Sequence, residues 1–487
     1  MSFNSPFYLF LFFPAVLLAY TLAGLTGKSK MRIRNAVLLA ASLIFYAWAQ
    51  PVTLPVILVV ICINFYLAKK LEHSNSLRML WTAVALNLAI LVLFKVCSSN
   101  WLTLVAFSRQ SLNLPLPQQT EGYLQKWAVF PLGLSFVSFQ VIAHLIDIYK
   151  KRCPAEKQPG RYALLVLLFP KMVAGPIARF RELDLQLDDR PFSLATFTAG
   201  MRRFIPGLAK KAIIADTLGR IVDGGVFAQA LPNLTAYSAW LVLICYTMQI
   251  YFDFAGYTDM ALGMGQVFGF RLPENFNSPY AARGISDFWR RWHISLSSWF
   301  RDYVFYPLER SRRRKNPAWQ YINILIVFAL TGLWHGLTLN FLAWGALHGA
   351  AVALESGPFG RWLRSRWAPL QHFYTLAVLM IGWVFFRSPS LPFAFRYLLT
   401  LAGLQHGSGS LPYSMLPPQE ASLWLALGLG VFFSLPVKLA LKKLIERQPR
   451  LTILQGVFGD LALVALLLVV LVWSSGSVYQ PYIYGNF

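Results

Sequence analysis

Two histidine-centred motifs hold the residues best suited to chemistry: Phe288-Trp289-Arg290-Arg291-Trp292-His293-Ile294-Ser295-Leu296 and Gly332-Leu333-Trp334-His335-Gly336. From Tyr321 to Ala353 there is no Lys, Arg, Asp or Glu, so His335 and His348 are the groups there whose ordinary pKa lies near neutral pH. Apolar surroundings disfavour a charged imidazole, which suits a general base that takes a proton from a hydroxyl. Gly332 and Gly336 flank His335 and leave room for a substrate or another backbone to approach. A histidine satisfied within the core fits the same pattern, and the pattern alone leaves both readings open. His348 falls on the far side if one helix continues through it, and reads as structural together with His73, His372 and His406.

Taken as one helix at about 100° per residue, the first motif puts Ser286, Arg290, His293, Ser297 and Arg301 on one stripe. Phe288, Trp289, Trp292, Leu296, Trp299 and Phe300 form the opposite face. Arginine offers planar, permanently charged donor arrays, so Arg290, Arg291 and Arg301 are candidates to bind an anionic, phosphate-bearing ligand. Arginines that meet lipid phosphates and pair with Asp287 explain the stripe equally well. A third region, Gln249 to Met260, sets Gln249, Asp253, Gly256, Met260 and Gly263 on one helical face. Asp253 there either orients a histidine or holds a proton, or is a paired carboxylate on a packing face.

The elements that must position these residues are membrane helices. Hydrophobic residues make up 56% of the 487 and charged residues 13%, with mean hydropathy +0.51, which argues against a soluble globular protein. Apolar stretches run from Phe7–Leu25 to Leu461–Val472 and include Ala128–Ile148, Ala163–Ile177, Trp240–Gly263, Ile322–Trp334, Leu337–Leu354 and Thr375–Phe386. Several are too short for a perpendicular crossing, so the reading is an all-α polytopic membrane protein of about eleven transmembrane or re-entrant helices.

The net charge of +24 is not a nucleic-acid signature, because the cations cluster at span ends: Lys28/Lys30/Arg32/Arg34, Lys69/Lys70, Lys150/Lys151/Arg152, Arg312 to Lys315 and Lys442/Lys443. The positive-inside rule places these in the cytoplasm, with Ser98–Gly122 and Leu404–Ala421 outside and an outside N-terminus that is a retained first helix. Phe192–Ile214 mixes Arg202, Arg203, Lys210 and Lys211 with apolar residues, as an interfacial helix with its cations toward headgroups or a solvated cytoplasmic face does. Cys62, Cys97, Cys153 and Cys245 have no metal-ligand spacing and read as buried structural thiols. No phosphate-binding loop, nucleophile elbow or zinc-protease helix is present in the sequence.

Several motifs in order resemble the membrane-bound O-acyltransferase (MBOAT) family. They are Tyr251-Phe252-Asp253-Phe254-Ala255-Gly256-Tyr257, Glu274-Asn275-Phe276-Asn277-Ser278-Pro279-Tyr280, Phe288 through His293, Trp299-Phe300-Arg301-Asp302-Tyr303 and Gly332 to Gly336. Pro131 to Phe136, Ala174-Gly175-Pro176-Ile177 and Pro481-Tyr482-Ile483-Tyr484 fit as well, and the similarity is to the bacterial branch that acts on alginate and teichoic acids. The resemblance implies helices around a central tunnel, with N-terminal helices over 1–126, a family core over 127–355 and C-terminal helices over 356–487, in one membrane domain of the bacterial inner membrane. It implies His335 as the catalytic histidine and His293 as a second one nearer the cytoplasm, with Asp253, Trp334, Asn340 and Ser297 in supporting positions.

The activity implied is O-acetyl transfer to an exported polysaccharide, with no bound cofactor or metal and with acetyl-CoA, or an acyl carrier, as cytoplasmic donor. Arg290, Arg291 and Arg301 would hold donor phosphates, and a periplasmic acceptor protein and membrane lipid would be the partners. Two departures from the branch stand out. Pro307-Leu308 is followed by Glu309-Arg310-Ser311-Arg312 where a glycine pair is usual, and His144 and Lys171 occupy places that are usually aromatic and uncharged. Two competing readings remain: a transporter with a carboxylate relay of Asp147, Asp253, Asp259 and Glu355, and an inactive scaffold.

Overall fold

The computed structural model describes residues 3–99, 129–223, 235–312, 316–404, 421–436 and 449–475. Regular structure among them is entirely helical. Pro51–Ser74, Leu77–Ser98, Ala236–Val267 and Ala368–Arg387 are long and apolar enough to cross a membrane, and five shorter apolar helices accompany them. The expected count of about eleven transmembrane or re-entrant helices is not confirmed by these nine among the described residues. The loops Ser98–Gly122 and Leu404–Ala421, apart from their ends, lie outside the described residues, as do Arg313 to Lys315, Lys442/Lys443 and Pro481 to Tyr484.

The chain packs as two units, one of Met1–Gly200, Met264–Pro273 and Gly485–Phe487, the other of Met201–Gly263 and Glu274–Tyr484. In the first, Val59 and Leu93 present exposed apolar side chains, as lipid contact requires. Between the same two helices, Asn64 and Asn87 exchange amide hydrogen bonds of 2.9 and 2.8 Å, which ties neighbours together in a medium with no water to compete.

Ala163–Ile177 is not a span. The helix Pro159–Leu167 stops and a four-residue turn, Phe169–Met172, follows. Pro170 has no N–H to offer the carbonyl of Val166 four residues back, and Lys171 Nζ donates to that oxygen instead, at 3.2 Å. The Lys171 amine also donates to Gln140, and complete burial pushes its pKa down to about 7. His144 does the work of the expected aromatic residue by stacking on Phe180, with centroids 4.0 Å apart and planes at 15°.

The helix Leu194–Ala209, whose residues from Met201 on belong to the second unit, runs through a π-helical turn, Lys210–Ala215, into Asp216–Ile221. Lys211, Lys210 and Arg203 are paired with carboxylates, an arrangement that neither of the two readings, cations toward headgroups or a solvated face, included. Lys211 is buried between Asp253 and Asp216, 2.6 Å from each. Lys210 meets Asp259 at 2.6 Å, and Arg203 bridges Asp259 at 3.0 Å and Glu274 at 2.5 Å. A π-helical turn adds one residue per turn, and the adjacent lysines reach carboxylates at Asp253 and Asp259, nearly two turns apart on the facing helix. Gly256 permits the contact, because a Cβ there would lie 2.8 Å from the carbonyl oxygen of Gly207. The four cysteines are free thiols as expected, but the expectation of burial holds only for Cys245, Cys62 being exposed and Cys97 and Cys153 half-buried.

Candidate active site

The helices around the two histidines are α1 (Ala236–Val267), α2 (Ile285–Arg291), α3 (Ile294–Phe300), α4 (Trp319–His335), α5 (Leu339–Ser356) and α6 (Ala368–Arg387). The single helix expected through the first motif is broken. α2 ends at Arg291, Trp292 is extended, and His293 takes the left-handed conformation with φ 44°. Ser286 and Arg290 thus sit on one short helix and Ser297 on the next, while Arg301 opens a π-helical turn. The stripe drawn on one cylinder does not exist.

The segment Glu274 to Tyr280 fills the break. Asn277 N–H donates to Arg291 O at 2.9 Å, and Ile294 N–H donates to Asn275 O at 3.0 Å, so groups orphaned at the two helix ends find partners. Asn275 Oδ1 accepts from His293 Nδ1 at 3.1 Å, from Ser295 N–H at 3.2 Å and from Ser295 Oγ at 2.9 Å. Trp292 packs against Phe276, Trp383 and Phe288. At the other end of α2, the buried Glu355 carboxylate accepts the N–H of Ile285 at 2.6 Å and of Ser286 at 2.8 Å, an anionic cap on a helix N-terminus. His372 Nδ1 donates to Ala282 O at 3.0 Å and anchors the approach to α2.

His335 is the last residue of α4, 5% exposed. α4 and α5 meet at backbone contact: a Cβ on Gly332 would sit 2.4 Å from Phe341 O, and one on Gly345 2.5 Å from Phe328 O. The room that glycine supplies is taken by another backbone. Rings of Trp334, Trp344, Phe386 and Phe341 surround the imidazole, at centroid distances of 4.6, 5.1, 5.0 and 6.1 Å. Trp334 links the two histidines, 4.6 Å from His335 and 6.4 Å from His293.

His348 is not remote, because the chain turns between α4 and α5. Its ring lies 5.1 Å from Trp344, which also touches His335.

The remaining candidates divide. Asn340 is a strut, donating from Nδ2 to Ser388 O at 2.6 Å. Ser297 helps start α3, with its N–H on His293 O at 3.0 Å and its Oγ on Trp292 O at 3.4 Å. Asp253 pairs with Lys211 and orients neither histidine in the contacts described above. Arg290 and Arg291 share the carboxylate of Asp287, at 3.3 and 3.0 Å, and Arg301 meets Asp302 at 3.3 Å. Burial would raise the Asp287 pKa, but its hydrogen bonds to Arg291 and the Arg283 backbone and the charges of Arg291 and Arg290 hold it below the usual carboxylate value. Arg290 and Arg301 remain exposed, so a polyanion can reach them.

The carboxylates of the relay reading are each engaged. Asp147 pairs with Arg152 at 3.0 Å, Asp253 and Asp259 with lysines or arginine, and Glu355 caps α2. Glu309, in the departing loop, is buried and accepts from Asn323 at 3.2 Å. Sequence reasoning missed Asn275, Glu355 and Lys211 as supports of the site. The signal for Glu355 was there: it is the first charged residue after the uncharged run that holds His335.

The family model described as MBOAT, membrane-bound O-acyltransferase family, matches residues 158–398. The chain is 38% identical to a probable alginate O-acetylase of Pseudomonas putida, over 81% of this chain and 79% of the relative. It is 32% identical to the peptidoglycan O-acetyltransferase of Helicobacter pylori, over 83% of this chain and 80% of the relative. The teichoic acid D-alanyltransferase of Bacillus subtilis is 29% identical over 52% of this chain and 66% of its own length.

Proposed function

From the premise that the chain belongs to the membrane-bound O-acyltransferase family, we propose that it moves an acetyl group from a cytoplasmic thioester, acetyl-CoA, to an acceptor for O-acetylation of an exported polysaccharide at the bacterial inner membrane. Membership makes it a membrane-bound acyltransferase. The observation that carries the finer reading is His335, buried in an aromatic box and joined to His293 through the single indole of Trp334.

In the proposed step, a His335 ring nitrogen takes the proton of an acceptor hydroxyl as its oxygen attacks the thioester carbonyl. The C–S bond breaks, the proton passes from the imidazolium to the leaving thiolate, and an acetate ester and a free thiol remain. Aromatic rings around His335 exclude water that would otherwise hydrolyse the thioester. The exposed guanidinium groups of Arg290 and Arg301, with Arg291, bind the donor phosphates in exchange for their contacts to Asp287 and Asp302. A periplasmic acceptor protein receives the acetyl group and passes it on to the glycan.

The test is release of free thiol from acetyl-CoA by the detergent-solubilised protein. Wild-type release that His335→Ala abolishes supports the transferase reading. Release by folded His335→Ala at the wild-type rate would sink it.

A further inference from the structure

The hydrogen bonds around Asn275 assign a proton. The backbone N–H of Ser295 is a donor only, so the Asn275 side-chain atom 3.2 Å away is the amide oxygen. That oxygen cannot donate, and His293 Nδ1 lies 3.1 Å from it. The proton of that hydrogen bond therefore belongs to Nδ1. In a neutral ring the lone pair is then on Nε2.

We propose that Asn275 is a positioning residue that holds His293 as the Nδ1–H tautomer, making it a neutral hydrogen-bond acceptor, through Nε2, for an amide N–H of a thioester donor's pantetheine-like arm. The donor assignment rests on the function proposed above, whereas the tautomer rests on geometry alone.

Three observations support it. Asn275 is fully buried and its Nδ2 has no hydrogen-bond partner among the described residues, so the residue gives up its donor capacity while its oxygen accepts three times. His293 stands in the left-handed conformation at the break between two helices, a costly backbone state that persists where surrounding contacts impose it. Its described neighbours Phe254, Trp334, Asn275 and Ser295 carry no charge, and burial pushes its pKa down to about 3.

The experiment uses full-length protein labelled with [15N]histidine in lipid, read by solid-state NMR, with the His293 signals identified by their loss in His293→Gln. A protonated δ nitrogen and unprotonated ε nitrogen at neutral pH are expected. An ε-protonated ring, or an imidazolium, overturns the proposal whether or not the protein cleaves acetyl-CoA.

Asn275→Asp keeps the acceptor and adds a charge. It is expected to raise the pKa of His293, so that an imidazolium signal grows near neutral pH. The acid limb of the thiol-release profile moves to higher pH, and activity returns on the alkaline side. A uniform loss at every pH, with the His293 signals unchanged, marks Asn275 as a fold residue only and refutes the positioning role. If wild type releases no thiol while the Nδ1–H signal stands, the transferase reading fails and the tautomer assignment survives.

Discussion

Glu355 accepts the backbone N–H of Ile285 at 2.6 Å from seventy residues away in sequence, and the helix it caps carries Arg290 and Arg291. Glu355 itself touches neither arginine in the hydrogen bonds described. Its effect on a donor is transmitted through the placement of α2. Truncating a helix cap costs about 0.5–2 kcal/mol, so Glu355→Ala is expected to raise the acetyl-CoA KM by roughly 2- to 30-fold, with a smaller change in kcat. Glu355→Gln keeps one acceptor oxygen and is expected to recover much of the loss. A kcat that collapses at unchanged KM would place Glu355 in the chemistry instead.

In the proposed transferase step His335 is the general base. General acid–base catalysis contributes about 10²–10⁴-fold, and His335→Gln, which holds a similar volume, is expected to lose thiol release by that factor while keeping its melting temperature. Single-turnover measurement with acetyl-CoA separates the chemical step from binding. Donor affinity that falls while the single-turnover rate holds would assign His335 to binding.

Pattern reached the histidines because titratable groups are rare in apolar sequence, and the resemblance to MBOAT motifs singled out His335 and His293 as candidates. It did not reach their surroundings, for physical reasons. The one-helix reading of Phe288 to Phe300 assumed constant helical rotation, but the backbone turns left-handed at His293 and the partners that permit this, Asn275 and Asn277, come from a separate segment. His348 was placed on the far side by the same assumption, which fails where α4 ends at His335. The cations of Lys210 and Lys211 read as headgroup-facing or solvated because a sequence shows charge and hides the partner; Asp253 and Asp259 lie more than forty residues on.

Close packing of α4 on α5 sets where His335 stands. A Cβ at Gly332 would overlap the carbonyl oxygen of Phe341, 2.4 Å away, and backbone yields less readily than a side chain. Gly332→Ala is expected to push the helices apart at a cost of about 1–3 kcal/mol, lowering both the melting temperature and thiol release. Gly428→Ala is the control, since no atom lies within 4 Å of a Cβ there. Equal melting temperatures for the two variants would refute the backbone contact.

The buried Lys211 stands between two carboxylates, Asp253 and Asp216, and is itself almost completely buried. Removing one member of a buried ion group leaves uncompensated charge and costs about 3–5 kcal/mol. Lys211→Met is therefore expected to melt well below wild type in detergent. Lys211→Met with Asp253→Asn, which removes one of the stranded charges, is expected to recover part of the loss. A double variant no more stable than Lys211→Met would show that the cluster is not held by this pairing.

Acid stability follows from His293. Burial holds its folded pKa near 3, below about 6.5 for an unfolded histidine, so the unfolded chain binds the proton more readily. The stability it contributes is complete above about pH 6.5 and is lost as pH falls toward the folded value. Wild type is therefore expected to lose more melting temperature between neutral pH and about pH 5 than His293→Gln, which has no proton to bind. The comparison is of slopes, because the glutamine variant also loses packing on Phe254 and starts from a lower midpoint. Carboxylates shared by both proteins shift the two curves together and cancel. Parallel curves would mean that His293 titrates alike in the folded and unfolded states, and would remove the basis for treating it as a neutral group in the site.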